Sequence, residues 1–166
     1  MRDYYLEVIS RYRKSGILVD TNILLLYFVG YVDPKRIPLF KRTAHFAIED
    51  YTLLNKLLGY FEKIVTTPNI LSEVNSLSQQ FGEPDKTKFF LNFSEQIEII
   101  DEHYIESKAV EIHEAFVKFG LTDSVIINLS SNRFLVLTDD FRLSQYLSHQ
   151  NIDVINFNHI RVAGWT

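Results

Sequence analysis

The chain has no cysteine. That absence excludes disulfides and thiolate metal sites, and it makes the cytoplasm the expected compartment. No apolar run approaches the length of a membrane span; the densest, residues 23–29, covers about two helical turns. Residues 1–14 carry Arg2, Asp3, Glu7, Arg11 and Arg13 around no long apolar core, so they do not read as a secretory signal. The sequence contains no Gly-x-Gly-x-x-Gly or other phosphate-cradling loop, which argues against nucleotide-dependent chemistry. It also contains no Ser-centred nucleophile elbow. Five histidines, His45, His103, His113, His149 and His159, lack the spacing of a zinc pair and read as surface or core residues. A basic excess is missing too: 17 Lys and Arg stand against 21 Asp and Glu, a formal charge of -4. Sequence-independent nucleic-acid binders are usually basic, so the bulk charge argues against such a partner. Acids clustered to hold a cation would lower the balance without repelling a polyanion.

What is present suits one globular domain. The chain has 166 residues, 46% of them hydrophobic and 23% charged, enough for a core without staples. Thirteen Phe and nine Tyr read mostly as packing material. The spacing predicts a helix over residues 3–14, with Tyr4, Tyr5, Val8, Ile9 and Tyr12 on one side. Ile17-Leu18-Val19 reads as a buried strand, and residues 23–29 as a buried helix closed by Gly30. Asp33-Pro34 and Pro38 mark a loop. Helical spacing resumes over 40–61, so a longer helical segment is expected at about 31–60. A strand over 63–67 meets Pro68, which suits the first turn of the next helix. A short helix over 86–93, a strand over 96–100 and a helix over 104–119 follow. Gly120-Leu121-Thr122 reads as a turn before a helix over 123–129. A strand over 134–137, a helix over 141–148 and a strand over 153–156 complete the chain. Alternating strands and helices predict an α/β fold, a mostly parallel central sheet covered on both faces.

In such a sheet, ligands collect at the carboxyl ends of the strands. Asp20 follows the first strand, Asp139 and Asp140 follow the strand at 134–137, Glu73 lies about a turn into a helix after a strand, and Asp123 opens a helix. Each has an ordinary structural reading. Asp20 and Asp123 can cap helices, Glu73 can favour a helix dipole, and Asp139-Asp140 can be turn chemistry. Together, at about 5 Å and an effective dielectric near 20, each pair of carboxylates would cost about 3 kcal/mol. Such a cluster needs protons or a cation, and oxygen-only ligands suit Mg²⁺ or Mn²⁺. A divalent ion held by carboxylates activates water and polarises phosphoryl oxygens, which is hydrolytic chemistry on a phosphodiester.

These segments resemble those of PIN domains, the fold of VapC-type toxins and several RNA-processing nucleases. Ile17-Leu18-Val19-Asp20-Thr21-Asn22 looks like the strand that delivers the family's first acid. Thr67-Pro68-Asn69-Ile70-Leu71-Ser72-Glu73-Val74 is similar to its second acidic segment, Gly120-Leu121-Thr122-Asp123-Ser124 to its third and Leu137-Thr138-Asp139-Asp140 to its fourth, usually Thr-x-Asp. The four occur in the family order and span residues 17–140. The resemblance implies a three-layer α/β/α fold, Mg²⁺ or Mn²⁺, and endonucleolytic cleavage of RNA. It also implies metal-holding catalytic roles for Asp20, Glu73, Asp123 and Asp140, with Thr21, Asn22, Thr138 and Asp139 orienting them; Asp139 is the alternative to Asp140 as fourth acid, and Asn22 reads equally as a plain helix-start residue. Two features depart from the compact toxins: the stretch 30–59 is longer, and a helix precedes the first family strand.

Lys35, Arg36, Lys41 and Arg42 form a local basic cluster, and Arg142 follows Asp140 by two residues. Their functional reading is phosphate contact; their ordinary reading is a solvated loop and helix start. The expected activity is that of an endoribonuclease, with RNA as substrate. A toxin restrained by a protein antitoxin is one form of it; the helix over 104–119 reads first as a core helix and second as a candidate homodimer face. The alternative is a catalytically silent PIN-like module that binds RNA or protein. A phosphoacceptor or phosphatase reading of Asp20 is disfavoured, because such enzymes usually place a second Asp where Asn22 stands.

Overall fold

The computed structural model describes residues 2–110, 114–131 and 133–162. Five strands form one all-parallel sheet in the order β3-β2-β1-β4-β5. They are β1 (Ile17–Val19), β2 (Ile64–Thr66), β3 (Asp101–Glu102), β4 (Leu135–Thr138) and β5 (Val154–Asn156). In β1, Ile17, Leu18 and Val19 are all fully buried. Successive residues point to opposite faces of a strand, so both faces of the sheet are covered. β1 is central: Ile17 is in register with Ile64 of β2 on one side and with Leu135 of β4 on the other.

The helices follow from this order. α1 (Arg2–Tyr12) precedes β1. α2 (Thr21–Val32) and α3 (Ile48–Leu58) connect β1 to β2, and α4 (Pro68–Ser78) and α5 (Asp85–Ile97) connect β2 to β3. α6 (Glu114–Ser130) leads to β4, α7 (Phe141–His149) leads to β5, and α8 (Phe157–Val162) follows directly. Right-handed crossovers put α2 to α5 on one face and α6 and α7 on the other. α2 packs on α3, α4 and α5, and α6 packs on α7; α4 and α6 also meet, at the edge where Thr122 reaches Glu73. The chain thus leaves β1 toward β2 and later returns beside β1 as β4. That reversal opens a crevice between the carboxyl ends of β1 and β4. Among the described residues no helix is long and apolar enough to cross a membrane.

Several elements differ from the sequence expectation for identifiable reasons. Gly30 does not close the second helix, which runs to Val32. A Cβ on Gly30 would overlap the ring of Tyr51, so glycine lets α2 and α3 approach closely. Only Ile48–Leu58 of the expected 40–61 helix forms. Before it, Phe40 stacks on Phe81 at 3.9 Å and Phe46 packs against Phe157, while the buried Thr43 hydroxyl donates to the Ile37 carbonyl. These tertiary anchors, and a side chain that competes for backbone bonds, hold residues 37–47 in turns. α5 extends through Ile97 where a strand over 96–100 was expected, because Phe89, Phe93 and Gln96 make a buried helical stripe. The strand there is only Asp101–Glu102. The expected 104–119 helix starts at Glu114, after a 3₁₀ turn at Ser107–Ala109. Residues 111–113 of that expectation, with Ile112 and His113, lie outside the described residues. α6 is broken at Gly120 (φ 83°), a left-handed value that glycine tolerates, so the turn expected there is a kink between two helical halves.

The close approach at Gly30 is testable. Gly30→Ala should destabilise the protein by about 1–3 kcal/mol through overpacking, despite alanine's better helix propensity. Each kcal/mol should lower Tm by about 2–4 °C in a thermal melt. An unchanged or raised Tm would contradict this packing.

Candidate metal centre

Asp20 ends β1 and caps α2. It occupies the N-cap position, and its Oδ1 accepts from the Thr21 N–H at 2.6 Å, the first amide of α2 and not the second or third that a capping Asp usually meets. Its Oδ2 accepts from the Thr138 hydroxyl at 2.6 Å, across the seam between β1 and β4. The same Thr138 oxygen accepts from the Asp140 N–H at 3.0 Å. Asp140 caps α7, its Oδ1 accepting from the N–H groups of Arg142 and Leu143 at 2.7 and 3.0 Å. Asp20 thus takes the cap position its ordinary reading expects, and Asp140, read from the sequence as turn chemistry, caps a helix as well.

Glu73 reaches the same edge from α4. Its Oε2 accepts from the Thr21 hydroxyl at 2.8 Å, and its Oε1 accepts from the Thr122 hydroxyl at 2.5 Å. Thr21 adjoins Asp20 and Thr122 adjoins Asp123. Three threonine hydroxyls thus connect the four acidic segments, which are otherwise separated by 49 to 118 residues. Asp123 lies in the second half of α6, one turn beyond Gly120, and not at a helix cap. No described residue donates a hydrogen bond to it.

The electrostatics reflect this convergence. Burial pushes the Asp123 carboxyl up to about 7, aided by the charges of Asp20, Asp140 and Glu73. Burial pushes Asp20 up to about 6; Thr138 and the Thr21 amide pull it down, and the charges of Asp139 and Asp140 add to the rise. Like charges and desolvation both favour the neutral acid. Both neighbouring aspartates act on Asp20, and Asp140 acts on Asp123 as well. Asp139 meets Asn22 and His45: the Asn22 amide donates to its Oδ1 at 3.2 Å, and His45 Nε2 lies 3.5 Å from its Oδ2. The Asp139 carbonyl accepts from the Asn158 amide at 2.9 Å.

The donor set is all oxygen, which suits Mg²⁺ or Mn²⁺. The Asp123 carboxylate and Asp140 Oδ2 have no described donor against them, and each oxygen of Asp20 and Glu73 keeps a lone pair beyond its one bond. By chemistry these residues fit a hard divalent cation. The carboxylates are neighbours without being closed around a point: among the described residues, no three acidic or histidine side chains are gathered tightly enough to hold one ion.

The basic candidates separate. Lys35 and Arg36 sit in a 3₁₀ turn (Pro34–Arg36) past the far end of α2, roughly 18 Å of helix from Asp20. Arg36 is paired with Asp85 at 3.1 Å. The fold does not bring these two to the acids. Lys41 and Arg42 are exposed on the turns that lead back to His45 and the acidic edge. Arg142 is exposed in the first turn of α7, its guanidinium 5.9 Å from the Phe119 ring. His45 is the residue that sequence reasoning missed. Its neighbour Phe46 packs on Phe157, and its carbonyl accepts from Arg161 at 3.0 Å. These anchors are long-range, so no local motif marks His45.

No protein-family model matches the chain, and no curated protein is detectably similar to it in sequence.

The raised acids have a consequence for stability. The folded-state value of Asp123, about 7, lies above its ordinary value of 3.8, so the folded protein binds the extra proton. Stability from this group is full at low pH and is lost as pH rises from about 4 to 7. In chelator, Asp123→Asn should therefore melt at a higher temperature than wild type. The advantage should be largest at about pH 8 and shrink toward about pH 4. A pH-independent difference, or a less stable variant at about pH 8, would contradict the charge cluster.

Proposed function

We propose that this chain is a divalent-cation-dependent nuclease of the PIN-domain type that hydrolyses RNA phosphodiester bonds. The observation that supports it most is the set of threonine hydroxyls, Thr21, Thr122 and Thr138, which ties Asp20, Glu73 and the segments of Asp123 and Asp140 to one crevice. Four mutually repelling acids at the switch point of a parallel sheet have little structural use without a cation.

In this reading Asp20 and Asp123 hold the ion, with Glu73 and Asp140 completing its surroundings. Bound Mg²⁺ or Mn²⁺ would polarise a phosphoryl oxygen and offset the charge of the attacking and leaving oxygens. Thr138 fixes the orientation of Asp20, and Thr21 and Thr122 fix that of Glu73, as outer donors commonly do for ligating carboxylates. Asn22 and His45 hold Asp139 beside them. Lys41, Arg42 and Arg142, exposed on the turns before His45 and in the first turn of α7, would meet the phosphates of the strand. A toxin with a protein antitoxin is the narrower form of the proposal.

The hydrogen bonds already made to both oxygens of Asp20 and of Glu73 favour a second reading, a catalytically silent PIN-like module that binds RNA or protein.

A mixed-RNA cleavage assay with Mn²⁺ or Mg²⁺ separates the two. Wild type should cleave, and Asp20→Asn and Asp123→Asn should each lose more than the roughly 100-fold that sets the upper range for outer-donor mutations. Thr138→Val should lose about 10- to 100-fold with little change in fold. Cleavage that is absent in wild type, or equal in wild type and Asp20→Asn, rejects the enzyme.

A further inference from the structure

The fold treats one phenylalanine unlike the rest. All thirteen lie among the described residues, and twelve are buried or partly buried. Phe141 alone is exposed, at 56%. It is the first residue of α7, directly after Asp140, so its Cα lies about 3.8 Å from that of the acid. The buried stripe of α7 is Leu143, Ser144 and Leu147, and Phe141 is no part of it. A single exposed apolar residue is ordinary on a protein surface. This one lines a groove of about 330 Å³ that runs from the acidic edge along α7 to α1.

The lining of that groove is specific in kind. The Phe141 ring meets His159 edge-on, with centroids 6.5 Å apart. Tyr4, 52% exposed, lies farther along, with Gln145 and His149 on the outward side of α7. The Gln145 amide and the two imidazoles are polar heads with no hydrogen bond to a described residue. No carboxylate lines the groove, although acidic residues outnumber basic ones in the chain. A cavity of this size lies at the small end of ligand sites. It offers aromatic faces for stacking, amide and imidazole groups for the edges of a ring, and no charge to repel an anion.

We infer that this groove is a subsite for one unpaired nucleobase, stacked on Phe141 and contacted at its edges by Gln145, His149 or His159, while the adjoining phosphate lies at the acidic edge. The identity of the ligand rests on the nuclease reading; the existence of the subsite rests on the groove. Stacking on an exposed aromatic ring tolerates any base and needs a single strand, since a base within a duplex has no free face.

The test measures binding apart from cleavage. A labelled single-stranded RNA of about eight nucleotides is titrated in Mg²⁺ against Asp20→Asn protein, alone and combined with Phe141→Leu or Phe141→Trp. Leu keeps an apolar side chain at the exposed helix start and removes the aromatic face; Trp restores that face. Phe141→Leu should weaken binding about 5- to 100-fold, the loss of one stacked base, with an unchanged Tm. Phe141→Trp should bind as the parent does or tighter, and binding of the matching duplex should not depend on residue 141. Equal binding by the Leu variant, an equal loss with the duplex, or no binding of the single strand by the parent would overturn the subsite. In the wild-type background, cleavage with an unchanged KM in Phe141→Leu would reject the subsite and leave the nuclease standing. Phe141-dependent binding without any cleavage would support the subsite and reject the nuclease.

Discussion

The hydrogen bond from Thr138 to Asp20 joins the two strands that diverge at the centre of the sheet. Everything proposed for this protein depends on that seam. β1 and β4 lie side by side, with Leu18 in register with Val136 and Val19 with Leu137, so the residues that follow them emerge together. Asp20 and Asp140 would separate if left to their charges. Thr138 spans them, donating to one side chain and accepting from the other's backbone. The hydroxyls of Thr21 and Thr122, on two different helices, both donate to Glu73. Hydroxyl donors on Asp20 and Glu73 offset part of the repulsion with hydrogen bonds to the charged form, which are among the stronger protein hydrogen bonds. Burial first, and the repulsion that remains, raise the pKa values of Asp20 and Asp123.

Much of this was legible in the sequence. The fully apolar Ile17-Leu18-Val19 and the run after it could only be a buried strand and helix, and alternation with later elements predicted the parallel sheet that is present. The acids at strand ends were visible for the same reason: a parallel sheet sends its strand ends to one edge, so order in the chain becomes proximity in space. The boundaries governed by long-range contacts were not legible. Gly30 reads as a helix stop until Tyr51 is packed against it. Residues 40–47 carry helical spacing, but Phe81 and Phe157, far away in sequence, take Phe40 and Phe46 instead. Ile105, Ala109, Phe116 and Phe119 have the spacing of one helix face, yet Ala109 ends a 3₁₀ turn and the helix runs from Glu114. His45 and Phe141 were invisible as site residues, because what distinguishes them is position relative to Asp139 and Asp140.

The net charge, unhelpful in the sequence, is partitioned in the structure. The acids of the crevice stand together where a cation would answer them, and the groove beside them contains none. Lys35 and Arg36, the most conspicuous basic pair in the sequence, are spent at the other end of α2, Arg36 on Asp85. In the proposed reading, the charge that would meet a polyanionic strand is that of the acidic edge, with Arg142, Lys41 and Arg42 exposed on the segments that border it.

The most direct measurement is calorimetric titration of Mn²⁺ into the protein near pH 6.5, in buffers of different ionisation enthalpy. An acid that titrates near 7 is largely protonated there and must release its proton to ligate a cation. The account predicts saturable binding with net proton release in wild type, and loss of both in Asp123→Asn. Absence of binding, or binding that neither releases protons nor depends on Asp123, would contradict it.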